Sequence, residues 1–198
     1  MNPDGTSFFS EVELSALTFK LIGKSVKISR RASFYNSNQI EIGDNSRIDD
    51  FCVISAGKGG VYIGRNVHIA VYTSLIGQGR IVIEDYANIS SRVSVYSSND
   101  DYSGNYMTNP TVNFQYTNVT HAPVCVGRHA IVGSGSIILP GVILGDGACI
   151  GALSLVNRNC APFTINGGIP IRFIRERSRG LEAKYNKMIQ DESKSQYL

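Results

Sequence analysis

The chain has 198 residues, of which 42% are hydrophobic and 18% charged, with a formal net charge of +3. That is enough for one substantial domain, and the charge is too mild to imply nucleic acid. No stretch reaches the roughly 18 apolar residues of a membrane span. The start, MNPDGTSFFSEVE, lacks a signal-peptide pattern, so a cytoplasmic protein is expected.

The first twenty residues read as a capping segment. Within it, Ser10-Glu11-Val12-Glu13 has the S-x-x-E spacing of a capping box and is followed by Leu14 and Leu17, which predicts a short helix. From residue 21 to 176 one pattern dominates, an aliphatic side chain at every sixth position. It is unbroken at Ile42, Ile48, Ile54, then at Ile63, Ile69, Leu75, then at Ile83, Ile89, Val95. It resumes at Val126 and runs through Val132, Ile138, Leu144, Ile150 and Val156. Four positions after most of these comes a small or branched residue, such as Ser46, Cys52, Thr73, Ala130 or Ser136.

Six is an even number, so the pattern suits strands with alternating faces and not a helix. Hexads in series are the signature of a parallel β-helix, with about three hexads to one triangular turn. A degenerate opening turn at Ile22, Ile28 and Phe34 precedes turns that begin at Ile42, Ile63, Ile83, Val126 and Leu144. Cys52 and Cys160 occupy small-residue slots, and no C-x-x-C pair is present. Packing thiols are expected, not a zinc knuckle or a disulfide frame.

Between Ile83 and Val126 the chain is about 25 residues too long for one turn, and a loop of that size in a compact domain is usually functional. The excess lies in 97–122, where Tyr102, Tyr106, Phe114 and Tyr116 alternate with Asn and Asp residues. This protruding loop offers ring faces and hydrogen bonds to a polar ligand, or an arm for subunit contact. Residues 177–198 close the chain. There Leu181, Tyr185 and Met188 fall on one face of an expected amphipathic helix, followed by a frayed tail.

The run from Val126 to Ser136, the run Ile138-Leu139-Pro140-Gly141-Val142-Ile143-Leu144-Gly145-Asp146-Gly147, and the ending Gly167-Gly168-Ile169-Pro170-Ile171-Arg172 carry a resemblance. The chain resembles the hexapeptide-repeat acyltransferases, in particular the galactoside/maltose acetyltransferase branch and its enzymes of bacterial surface polysaccharide. The resemblance implies an all-β, left-handed parallel β-helix with capping helices and a homotrimer with active sites between subunits. It also implies acetyl-CoA as co-substrate, no metal, and a sugar or nucleotide-sugar acceptor in lipopolysaccharide or O-antigen synthesis. Family donor contacts carried onto this chain fall on Ser134, Ala152, Asn157, Arg158, Arg172 and Arg175. Arginine forks suit the nucleotide phosphates.

The resemblance fails at the catalytic base. The family's histidine position is held here by Asp100, and the acceptor positions near Tyr72 and Gly77 also depart. His121, which ends the long loop, and Asp100, near its start, are the catalytic candidates, with Asp101, Tyr72 and His68 as substrate-binding candidates. A histidine oriented by a carboxylate can accept a proton near neutral pH, or an aspartate can itself be the base. A sugar amine with a pKa of about 8 needs less help than a hydroxyl, which favours a nucleotide-linked amino sugar. Two alternatives are a zinc hydrolyase of carbonic-anhydrase type, for which all three histidines must converge, and a binding solenoid without chemistry.

Overall fold

In the computed structural model, which describes residues 7–195, the chain forms a parallel β-solenoid of about seven turns. Residues 1–6 of the expected capping segment and 196–198 of the expected tail lie outside the described residues.

Each hexad is one short strand, and every third strand stacks into the same sheet. The first face is a six-stranded sheet from Leu21–Ile22 through Ile40–Ile42, Val61–Ile63, Ile81–Ile83 and Val124–Val126 to Ile143–Leu144. The second, of eight strands, runs from Lys27–Ile28 to Thr164–Gly167 and ends on Arg172–Glu176. The third, of six strands, runs from Ser33–Tyr35 through Ser74–Gly77 and Ser94–Tyr96 to Leu155–Val156.

The register is that of the hexads. Ile42 lies over Ile63, Ile63 over Ile83, Ile83 over Val126 and Val126 over Leu144. All five are fully buried, as are their counterparts Ile69, Ile89 and Val132 on the second face and Leu75, Val95 and Ile138 on the third. Burial of each such side chain is worth about 1.5–3 kcal/mol, repeated in every rung.

Three edges separate the faces. At the first edge the chain turns through positive φ at Ser25, Asn45, Asn66, Tyr86 and His129. Asparagine tolerates that region because its short side chain bonds locally. At the second edge the positive-φ column is Phe51, Tyr72, Arg92, Gly135 and Leu153. The third edge, between the third and first faces, carries the glycine-rich bulges and the long loop.

Both ends are closed. Helix α1 (Glu11–Ala16) starts at Ser10, whose side chain accepts from the Glu13 amide while Glu13 bonds back to the Ser10 backbone. Glu13 also binds Arg30 of the first turn, and these contacts, Arg30 foremost, hold its carboxyl down at about 2. At the other end Arg172–Glu176 reverses and pairs antiparallel to Thr164–Gly167. The hexad pattern gives no sign of this reversal. Helix α2 (Gly180–Ser195) then packs on the first edge. Tyr185 meets the rings of His129 and Tyr86 at 4.9 and 5.2 Å, and those two rings stack at 5.1 Å. Among the described residues no helix is long and apolar enough to cross a membrane.

Ile89→Asp should abolish folding, because it leaves a charge unpaired inside the stack; a soluble protein with native circular dichroism would contradict the register. The Glu13 pairing gives a pH test. A carboxyl whose folded pKa is depressed contributes stability above its unfolded value of about 4.5 and loses it as pH falls toward about 2. The melting temperatures of wild type and Glu13→Gln should therefore differ at neutral pH and converge across that interval. A gap that stays constant would contradict the pairing.

Candidate active site

The third edge assembles the candidate groups in rungs. Gly77-Gln78-Gly79-Arg80 lies under the base of the long loop. Gly79 must be glycine here, since a Cβ would come 2.7 Å from the Ala122 carbonyl oxygen. Above the loop base come Pro140 and Gly141, with the Gly141 amide donating to the Pro123 carbonyl at 3.2 Å. Asn157 and Arg158 form the next rung, because Ile138 is in register with Val156. At about 4.8 Å per rung, Arg158 stands roughly 10 Å along the edge from the loop base.

The loop leaves and rejoins the prism as an antiparallel pair, Ser98 opposite His121 and Asn99 opposite Thr120. Asp100 and His121 therefore belong to the same end of one hairpin, and both are exposed. The partner of His121 is not the expected carboxylate. Its Nδ1 lies 2.8 Å from Ser98 Oγ, and among the described residues no hydrogen bond joins it to Asp100. Asp101 accepts from the Ser103 hydroxyl at 2.8 Å, and that bond holds its carboxyl below the usual range. It anchors the turn that begins the loop. Ser98 and Gln78 were not legible as site residues, since their contacts join positions about twenty residues apart.

Arg158 and Arg172 line one cavity of about 290 Å³ at the end of the prism, with Asn159, Thr164, Asn166 and Phe173. Arg175 follows on the same closing strand, in register with Ile165. Among the described residues none of the three has a carboxylate within ion-pair distance, so their donors are open to an anion. Arg177 and Arg179, farther along, contact the fold itself, and Arg179 stays largely exposed. Arg177 Nη1 donates to the His129 and Gly147 carbonyls at 3.0 and 2.8 Å, and Arg179 lies over the Phe163 ring at 4.2 Å. Ser134 and Ala152 sit one above the other at the second edge, both exposed, with the Leu153 amide donating to the Ser134 carbonyl at 2.9 Å.

Tyr72 and His68 are elsewhere. Tyr72 is on the second edge, stacked on Phe51 at 5.0 Å and capped by the Arg92 guanidinium at 5.5 Å. His68 is on the second face, its Nε2 2.9 Å from Asp49 and its Nδ1 3.2 Å from Asn88. Within one protomer the third face, roughly 13 Å across the four-residue strand Ser74–Gly77, separates Tyr72 from the loop base. His129 lies under α2, where burial, with Arg128 beside it, holds its imidazole below the ordinary value. The three imidazoles thus have separate surroundings, and among the described residues no three His, Cys, Asp or Glu side chains come together as metal ligands.

The described chain is thus a solenoid of hexads with an arginine-lined cavity at its end and a polar loop on one edge. No protein-family model matches the chain. It is 57% identical over 175 residues, 88% of its length and 91% of the relative's, to dTDP-4-amino-4,6-dideoxy-D-glucose acyltransferase of Escherichia coli. Galactoside O-acetyltransferase of Escherichia coli K12 is 25% identical over 150 residues, 76% of this chain and 70% of that one. The crystal structure of AntD, an N-acyltransferase from Bacillus cereus, in complex with dTDP and 3-hydroxybutyryl-CoA, superimposes with a TM-score of 0.91 at 43% identity, covering 95% of this chain and 99% of that one. The chain belongs to the hexapeptide-repeat acyltransferases, in the same family as the dTDP-4-amino-4,6-dideoxy-D-glucose acyltransferase.

Arg158→Ala should weaken coenzyme A binding about tenfold, the loss of a charge-assisted hydrogen bond, with an unchanged melting temperature. Calorimetric titration checks this; an unchanged dissociation constant would remove Arg158 from the donor site.

Proposed function

We propose that the protein transfers an acyl group, with acetyl-CoA as donor, to the amino group of a nucleotide-linked amino sugar. The observation that carries this reading is the alignment on one edge of the loop base, with His121 and Asp100, and the unpaired Arg158 about 10 Å beyond, where Arg172 lines the same cavity. A long thin thioester donor can lie along that edge with its phosphates on the arginines and its acyl end at the loop. The relative that shares 57% identity acts on a dTDP-linked 4-amino sugar, which supports an amine as acceptor.

The chemistry fits an exposed, lightly equipped site. An amine with a pKa of about 8 is partly neutral at physiological pH, so the protein mainly has to orient it and stabilise charge at the carbonyl. The C–N bond forms, the C–S bond breaks, and one amine proton ends on the thiol. His121 and Asp100 flank the approach of the acceptor, and Asp101 holds the turn beside them.

In a homotrimer with active sites between protomers, Tyr72 and His68 would reach this site from a neighbouring subunit. Ser134 and Ala152 on the second edge would then flank the same cleft as the donor's amide arm. A cytoplasmic enzyme that supplies modified sugars for surface polysaccharide or O-antigen fits both substrates.

Thiol release from acetyl-CoA with dTDP-4-amino-4,6-dideoxyglucose, set against plain oligosaccharides, tests the proposal. Turnover with the amino sugar and a product heavier by one acetyl group on nitrogen is expected. Turnover confined to oligosaccharide hydroxyls would refute it.

A further inference from the structure

The hydrogen bonds at the loop base decide which nitrogen of His121 carries the proton. The Gln78 backbone N–H donates to Ser98 Oγ at 2.7 Å. An amide can only donate, so one lone pair of Ser98 is committed as acceptor. Gln78 is itself held from below, its Oε1 accepting from the Lys58 amide at 3.2 Å. Ser98 keeps one proton, and 2.8 Å away stands Nδ1 of His121. Among the described residues the hydroxyl has no other acceptor. If Nδ1 carried the proton, the oxygen would accept twice and its own proton would have no protein partner. If Nδ1 accepts, the hydroxyl proton and both lone-pair roles in this contact are paired, and only Nε2–H faces outward.

We infer that Ser98 is a positioning residue that holds His121 with its proton on Nε2, so that His121 meets the substrate as a hydrogen-bond donor and not as the proton acceptor. The β-pairing of Ser98 with His121 makes this a built arrangement, since it fixes both side chains on one side of the hairpin. The inference rests on the reading of this edge as the transfer site. A donor there stabilises the thioester oxygen as it gains negative charge on attack by the amine. Collapse of that intermediate expels the sulfur, and the ammonium proton passes to it. The products are an amide and a free thiol, and no proton has to reside on the imidazole. Such a role explains how an exposed histidine without a carboxylate partner serves a reaction whose nucleophile is already basic enough.

The test joins a spectroscopic and a kinetic readout. Nitrogen-15 spectra of the full protein at alkaline pH should show His121 with a bare Nδ1 and a protonated Nε2. Ser98→Ala should lose that preference and Ser98→Thr, which keeps the hydroxyl, should restore it. A protonated Nδ1 in the wild type would overturn the inference, whatever the enzyme's substrate. In steady-state turnover His121→Gln, whose amide nitrogen can donate near the Nε2 position but cannot take up a proton, should keep kcat within about tenfold, whereas His121→Ala should lose about 10²-fold. Equal losses in the two variants would make His121 a base. Absence of turnover with every amino sugar would sink the transfer reading alone, and the spectra would still decide the tautomer.

Discussion

The stacking register of the rungs is the constraint on which all else depends. Each strand bonds to strands one turn before and after it, and its inward aliphatic residue lies directly on its counterpart, as Ile69 does on Ile48 and Ile89 on Ile69. A shift of one residue would turn every inward side chain to solvent. The register is therefore strongly specified, and it carries the edges with it. Residues about twenty positions apart become neighbours in a column, and a functional line along the prism is built from one residue per turn.

That geometry explains why the long loop tolerates its size. Its ends meet as an antiparallel pair where the third face gives way to the first, and Ala122 fits over Gly79 with Gly141 on its other side. The stack above and below is undisturbed. The excursion can vary its exposed surface, where Tyr102 and Phe114 are almost wholly open, without cost to the core. The loop's exposed surface and the stability of the fold are thus borne by different parts of one chain.

Much of the architecture was legible because it is periodic. Ile42 through Val156 announce their own inward positions, and Ser10 with Glu13 the opening cap. What escaped notice was aperiodic. The antiparallel return of Arg172–Glu176 depends on a turn through Gly167, Gly168 and Pro170 that no hexad marks. Arg177 likewise carries no mark in the sequence of its bonds to the His129 and Gly147 carbonyls. At the site, the resemblance brought Arg158 and Arg172 forward together, whereas Ser98 gave no signal. Its importance lies in two bonds, to an amide in the rung below and to a ring at the far end of the loop.

The central claim is that one edge of the prism carries donor and acceptor chemistry in line. A crystal structure with coenzyme A and a nucleotide amino sugar bound tests it most directly. The account places the coenzyme phosphates on Arg158 and Arg172 and the sulfur beside the sugar amine at the His121 end of that edge. A coenzyme lying on another edge, or a sulfur remote from the loop base, would contradict it.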